Sequence, residues 1–189
     1  SHKGRGKKNT MLRSPLITVM VAAARKAARA LIRDFGELEN LQVSVKGPGD
    51  FVSNADLRAE QTLREELLKA RPDFGFVLEE GGIHEGSDPD HRWHVDPLDG
   101  TTNFLHSIPH FAISIGLERA GEIISGVVYD PIKEELFWAE KGIGCYLNDR
   151  RLRVSARRKL GESVVATGLT PRNRAKDAER KEFVAQIDR

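Results

Sequence analysis

Between Pro15 and Gly36 apolar residues recur at Ile17, Met20, Val21, Ala24, Ala28, Leu31 and Ile32, the spacing of one face of an α-helix. Ser14-Pro15 opens this helix as a cap followed by proline in the first turn, and Gly36 closes it. Leu41 to Phe51 (LQVSVKGPGDF) alternates and then breaks at Gly-Pro-Gly, which predicts a strand or extended arm ending in a turn. A second helix is predicted from Ser53 or Asn54 as cap to Ala70, with Asp56 in its first turn. Ala59, Leu63, Leu67 and Ala70 lie on one face of it, and Pro72 follows. Phe74 to Leu78 (FGFVL) reads as a short strand that delivers Glu79 and Glu80 to a Gly81-Gly82 turn. Ile83 to His91 is polar and contains glycine, so a mobile loop is expected there.

From Phe111 onward strand-like runs alternate with Ala-Gly, Asp-Pro, Lys-Gly and Asn-Asp turns at hairpin spacing, an antiparallel meander. Val164 to Thr167 adds a possible further strand, and Ala175 to Arg189 has a helical pattern. Two helices ahead of a run of strands favour an α+β layered domain with a mixed or antiparallel sheet over a doubly wound one. Both helices should pack on that sheet.

Composition narrows the class only a little. A chain of 189 residues with 39% hydrophobic content suits a folded domain. No apolar run approaches the ~18 residues of a membrane span, and no secretory signal pattern is visible. The single cysteine, Cys145, excludes an internal disulfide framework and is expected to be a small buried residue in a hairpin. A cytoplasmic location is the expectation. Residues 1–10 (SHKGRGKKNT) read as a tag or disordered extension, with Met11 as a native start.

The net charge of +2 conceals an uneven distribution. Basic residues gather in 1–10 and 149–189, leaving 14 basic and 22 acidic residues, a net of −8, between 11 and 148. The body is acidic, so the overall basic pI does not argue for nucleic-acid binding. The run Arg150 to Lys159 (RRLRVSARRK) is read as a solvated face, with contact to RNA or an acidic partner as the lesser alternative.

Candidate chemistry concentrates in Trp93 to Phe104, WHVDPLDGTTNF. An apolar run ending at Asp96 looks like a strand carrying a carboxylate to its tip, where Pro97 is expected to end regular pairing. Gly100 permits positive φ or a close approach, and Thr101-Thr102 follow as a helix start. Two strands, ending at Glu79 and Asp96, thus each bring carboxylates to a glycine-bearing turn. Carboxylates attract hard cations and a helix start attracts phosphate, so the combination points to a metal-bound phosphate.

VLEEGG, WHVDPLDGTTNFLHSIPHFAISIGL and GVVYDP closely resemble the inositol monophosphatase family, whose motifs run roughly G-E-E, W-x-x-D-P-[IL]-D-G-T-T-N-F and G-x-[VI]-x-x-P. The resemblance extends from about Pro15 to about Leu169 and departs from the pattern at Leu78, where the family often has Gly. It implies a layered αβαβα sugar-phosphatase-like sandwich over 11–189, lacking the family's C-terminal αβ portion. It also implies two or three Mg²⁺ ions held by Glu79, Asp96, Asp99 and the carbonyl of Leu98. Asp99, Gly100, Thr101 and Thr102 match the substrate-binding positions, the last three supplying amides to phosphate. Catalytic roles fall to Glu79, to Thr101 and to Asp56 in SNAD, the latter two acting on the nucleophilic water. On its residues alone, Asp56 reads equally as an acid favoured by a helix N-terminus.

The implied activity is Mg²⁺-dependent, lithium-sensitive hydrolysis of inositol 1-phosphate or a related polyol phosphate, by a homodimer. Alternatives within the family are fructose-1,6-bisphosphatase and phosphoadenosine-phosphate phosphatase, and, in a different class, a non-catalytic partner in transcription and ribosomal RNA synthesis. The resemblance further implies a metal-binding aspartate in a W-D motif, yet neither Trp93 nor Trp138 precedes Asp. A chain ending at Arg189 is therefore expected to bind metal poorly. His91 and His94, or His106 and His110, offer a weaker zinc reading that lacks cysteine support. Gly47-Pro48-Gly49 lacks the Lys-Ser/Thr of a nucleotide loop and is expected to form an arm that brings Lys46 and Asp50 near the metals.

Overall fold

The computed structural model of the chain describes residues 13–37, 43–47, 50–164 and 166, with 43–47 and 50–53 as backbone alone. Helix α1 runs Pro15–Gly36, and the Ser14 hydroxyl accepts the Ile17 N–H at 3.2 Å, as its sequence predicts. Strands β1 (Val43–Gly47) and β2 (Asp50–Ser53) form a small antiparallel hairpin. Helix α2 is Asn54–Ala70. The placement of the Lys46 and Asp50 side chains, the extension 1–10, the helical pattern at 175–189 and most of the expected strand at 164–167 lie outside the described residues.

The main sheet comprises β3 (Phe74–Leu78), β4 (Gly82–His84), β5 (Asp88–Asp99), β6 (Ala112–Arg119), β7 (Glu122–Asp130), β8 (Glu135–Glu140), β9 (Gly144–Leu147) and β10 (Arg150–Leu152). A five-residue helix, α3 (Thr101–Leu105), joins β5 to β6. The strand order is β10-β9-β8-β7-β6-β5-β3-β4; β3 and β5 are parallel and every other neighbouring pair is antiparallel. The fold is therefore α+β with a mixed, mostly antiparallel sheet, and β6 to β10 are the predicted meander.

Alternation assigns the two faces. Trp93, Val95, Ile113, Ile115, Leu117, Val127 and Trp138 are buried and share one core with Ile17, Met20, Leu31, Leu63 and Leu67 of α1 and α2. Each such large side chain contributes roughly 1.5–3 kcal/mol by leaving water. The other face, with His94, Ser114, Gly116, Val128 and Phe137, has no helix across it among the described residues. An open trough of about 580 Å³ runs along it.

Three expectations need correcting. Pro97 does not end β5: one extra residue between Asp96 and Asp99 makes a bulge, after which Asp99 pairs with Ala112. Proline's missing N–H is tolerated at such a bulge. The expected loop at 83–91 contains the exposed edge strand β4 and the start of β5, polar because water covers both faces there. Cys145 is exposed rather than buried, since alternation puts it on the trough side of β9 while Tyr146 faces the core.

Candidate active site

Parallel pairing of β3 with β5 brings two carboxylate-bearing strand ends side by side: Leu78 pairs with Val95, and the Glu79 N–H donates to the Val95 carbonyl at 3.3 Å. Glu79 follows the end of β3 while Asp96 is the next residue of β5, and their carboxyl groups hydrogen-bond. Burial, the Glu79 charge and this hydrogen bond push the Asp96 carboxyl up to about 7. The Leu98 N–H, donating to Asp96 Oδ1 at 3.1 Å, works the other way by favouring the anion. Asp99 adds a smaller push upward. The negative charge of Glu79 beside Asp96 thus favours its protonated form.

Past the bulge the chain reverses at Gly100, whose φ of +99° only glycine adopts without strain. A Cβ there would also come within 3.0 Å of the His110 carbonyl. Thr101 Oγ1 donates to the Leu98 carbonyl at 3.0 Å, tying the start of α3 back to the bulge. The first intrahelical bond of α3 is Phe104 N–H to Gly100 O at 2.9 Å, so the amides of Thr101 and Thr102 precede the helical ladder. Asp99 and Gly100 line a second hollow of about 380 Å³ with Asn103, Asp130 and Lys133.

The predicted site residues are thus brought together unequally. Glu79 and Asp96 meet, the Leu98 N–H bonds Asp96 and the Leu98 carbonyl bonds Thr101, whereas Asp99 acts on Asp96 by charge and opens onto the neighbouring hollow. Among the described residues no three His, Cys, Asp or Glu side chains converge in a metal-holding arrangement. The donor set itself, carboxylates plus a carbonyl with no sulfur, is that of a hard cation such as Mg²⁺. Asp56 is buried in the first turn of α2, the helix that packs on β5.

His91, His94 and His110 serve local contacts. His94 Nε2 lies 2.7 Å from Glu118 Oε2, and His91 Nδ1 lies 2.8 Å from Asp88 Oδ2 while its ring stacks on Phe74. His110 Nδ1 is 3.1 Å from the Lys133 ammonium, which also bridges to Asp130 at 2.9 Å. Arg150, Arg151, Arg157, Arg158 and Lys159 are exposed, the solvated face expected of that run.

Two polar residues escaped the sequence reading. Asp130 is buried and its Oδ1 accepts the N–H groups of Ile132 and Lys133, both at 3.0 Å. Burial opposes its charge, but the Lys133 amide and ammonium hold its carboxyl below the usual range. Glu60 is buried on α2. Its signal was an acid one turn after Asp56 on the same face as Ala59 and Leu63, where a core residue would be cheaper.

Fold and site together define an oxygen-donor centre at two neighbouring strand ends beside a glycine turn. The profile of the Inositol monophosphatase family matches residues 12–188. An inositol-1-monophosphatase of Rhizobium meliloti (strain 1021) is 61% identical over 158 residues, 84% of this chain and 59% of that protein. The Nus factor SuhB of Pasteurella multocida (strain Pm70) is 42% identical over 155 residues, 82% of this chain and 58% of that protein. The crystal structure of the extragenic suppressor protein suhB from Bartonella henselae superposes with a TM-score of 0.76 at 60% identity, covering 78% of this chain and 57% of that one. The chain belongs to the inositol monophosphatase family. It spans about three fifths of the length of the curated relatives it matches.

Proposed function

We propose that the protein is a Mg²⁺-dependent phosphomonoesterase that hydrolyses inositol 1-phosphate or a related polyol phosphate with a metal-activated water. The observation that supports this most is the meeting of Glu79 with Asp96, two acids that the parallel pairing of β3 with β5 brings side by side at neighbouring strand ends. Two like-charged carboxyls placed against each other are costly to a fold unless a cation offsets their charge. Glu79, Asp96, Asp99 and the Leu98 carbonyl would hold the metal. When bound, Mg²⁺ neutralises phosphoryl oxygens and lowers the pKa of a bound water.

The chain's own groups do the rest. Gly100 lets a phosphate approach the backbone, and the amides of Thr101 and Thr102 donate to it. The Thr101 hydroxyl proton is committed to the Leu98 carbonyl, which leaves its oxygen lone pairs to accept from a water. Asp56 is the acceptor for that water's proton. Phosphate-ester hydrolysis is otherwise slow, since an anionic ester repels an anionic nucleophile.

The layers beyond α1, α2 and the sheet, a homodimeric state, lithium sensitivity and a cytoplasmic location belong to the same proposal. The trough is where a further layer would pack, and the extra length of the relatives supplies a candidate for it. Among the described residues no helix is long and apolar enough to cross a membrane.

A second reading is favoured by the relatives named Nus factor SuhB, a role in transcription by partner contact. An Asp99→Asn variant separates the two. Loss of Mg²⁺-dependent, lithium-inhibited phosphate release with partner binding intact supports catalysis at this site, and retention of full activity refutes the metal assignment.

A further inference from the structure

Glu60 is 7% exposed on the sheet-facing side of α2, one helical turn beyond Asp56. A carboxylate in that position is costly unless its oxygens are used, and an aliphatic residue there would be cheaper for folding. Its Oε2 accepts the backbone N–H of Glu80 at 2.9 Å. Its Oε1 lies 3.1 Å from where a Cβ on residue 81 would stand, so the carboxylate rests against the glycine turn itself. That same Cβ would meet Leu78 Cδ1 at 2.8 Å, which is why the turn takes glycine there.

The consequence concerns Glu79. Its own N–H is held by Val95 of β5, and the next N–H along the chain is held by Glu60 of α2. The backbone that bears the Glu79 side chain is therefore fixed from two directions at the point where it leaves the sheet. We propose that Glu60 is a positioning residue for the carboxylate centre: it clamps the Glu79-Glu80 turn to α2, and so sets Glu79 against Asp96 in register with Asp56. This inference rests on the metal site proposed above, and it predicts how tightly that site binds. Partners that orient a ligand from behind typically change metal affinity 10–100-fold when removed.

The test is calorimetric titration of Mg²⁺ into wild type, Glu60→Gln, Glu60→Ala and Glu79→Gln, paired with hydrogen exchange of the Glu80 amide. Gln keeps one acceptor oxygen, so Glu60→Gln is expected to bind Mg²⁺ within about threefold of wild type with the Glu80 amide still protected. Glu60→Ala is expected to bind at least tenfold more weakly and to lose that protection while the rest of the sheet stays protected. A folded Glu60→Ala with wild-type Mg²⁺ affinity overturns the clamp alone, provided Glu79→Gln is weakened. If Glu79→Gln also binds normally, the metal site and the clamp fall together. If Glu60→Ala does not fold, Glu60→Gln decides: an affinity as low as that of Glu79→Gln with the amide still protected overturns positioning in favour of a charge effect.

Discussion

The two faces of the main sheet are made by the same strands and behave as different materials. On the helix side Val127 is 1% exposed, while its neighbour Val128, pointing the other way, is 41% exposed. The helix side is continuous aliphatic and aromatic packing. The other side is a trough that carries Phe137 and Cys145, with the Glu79-Asp96 pair at one end. One face specifies the fold, and the candidate carboxylate centre sits at one end of the face that no described helix covers.

That contrast can be broken most severely at the covered face. Replacing the fully buried Trp93 by Ala should cost about 3–5 kcal/mol and is expected to unfold a marginal domain, as chemical denaturation will read. At the boundary between the faces, Asp96→Asn should reduce Mg²⁺-dependent turnover by more than about 100-fold, beyond what orienting partners usually contribute, with the fold retained by circular dichroism.

Proton linkage sharpens the boundary further. The folded-state value of Asp96 is raised to about 7 from its ordinary 3.8, so its contribution to stability is fully present below about 4 and is lost as pH climbs through about 7. Thermal midpoints measured in chelator should accordingly fall over that window by more in wild type than in Asp96→Asn. Mg²⁺ must displace the proton on Asp96, so its affinity should rise over the same range.

The smallest effect belongs to the open face. Val128→Ser should change stability by less than about 0.5 kcal/mol, against more than about 2 kcal/mol for Val127→Ser. A cost at Val128 equal to that at Val127 would mean that polypeptide beyond the described residues seals the trough.

What the sequence discloses follows the same division. Ser14-Pro15, the helical spacing of α1 and α2, and the hairpin turns of the meander all report burial on one face, so periodicity recovers them. The DPLDGTT stretch announces its carboxylates and glycine turn directly. Cys145 and β4 were misjudged because alternation cannot say which face of a strand is covered, and an edge strand wet on both sides looks like a loop. Pro97 misled because its missing N–H falls in a bulge whose existence depends on pairing with β6, a contact between distant residues. Glu60 acts on a backbone amide twenty positions away, a partner no local pattern reveals.

The most direct measurement is the initial rate of phosphate release from inositol 1-phosphate as Mg²⁺ is raised from zero, for wild type and Asp96→Asn in parallel. A rate that requires Mg²⁺ in wild type and is abolished by the substitution is the predicted result. Equal, Mg²⁺-independent rates in both proteins would contradict a carboxylate-bound metal as the source of the chemistry.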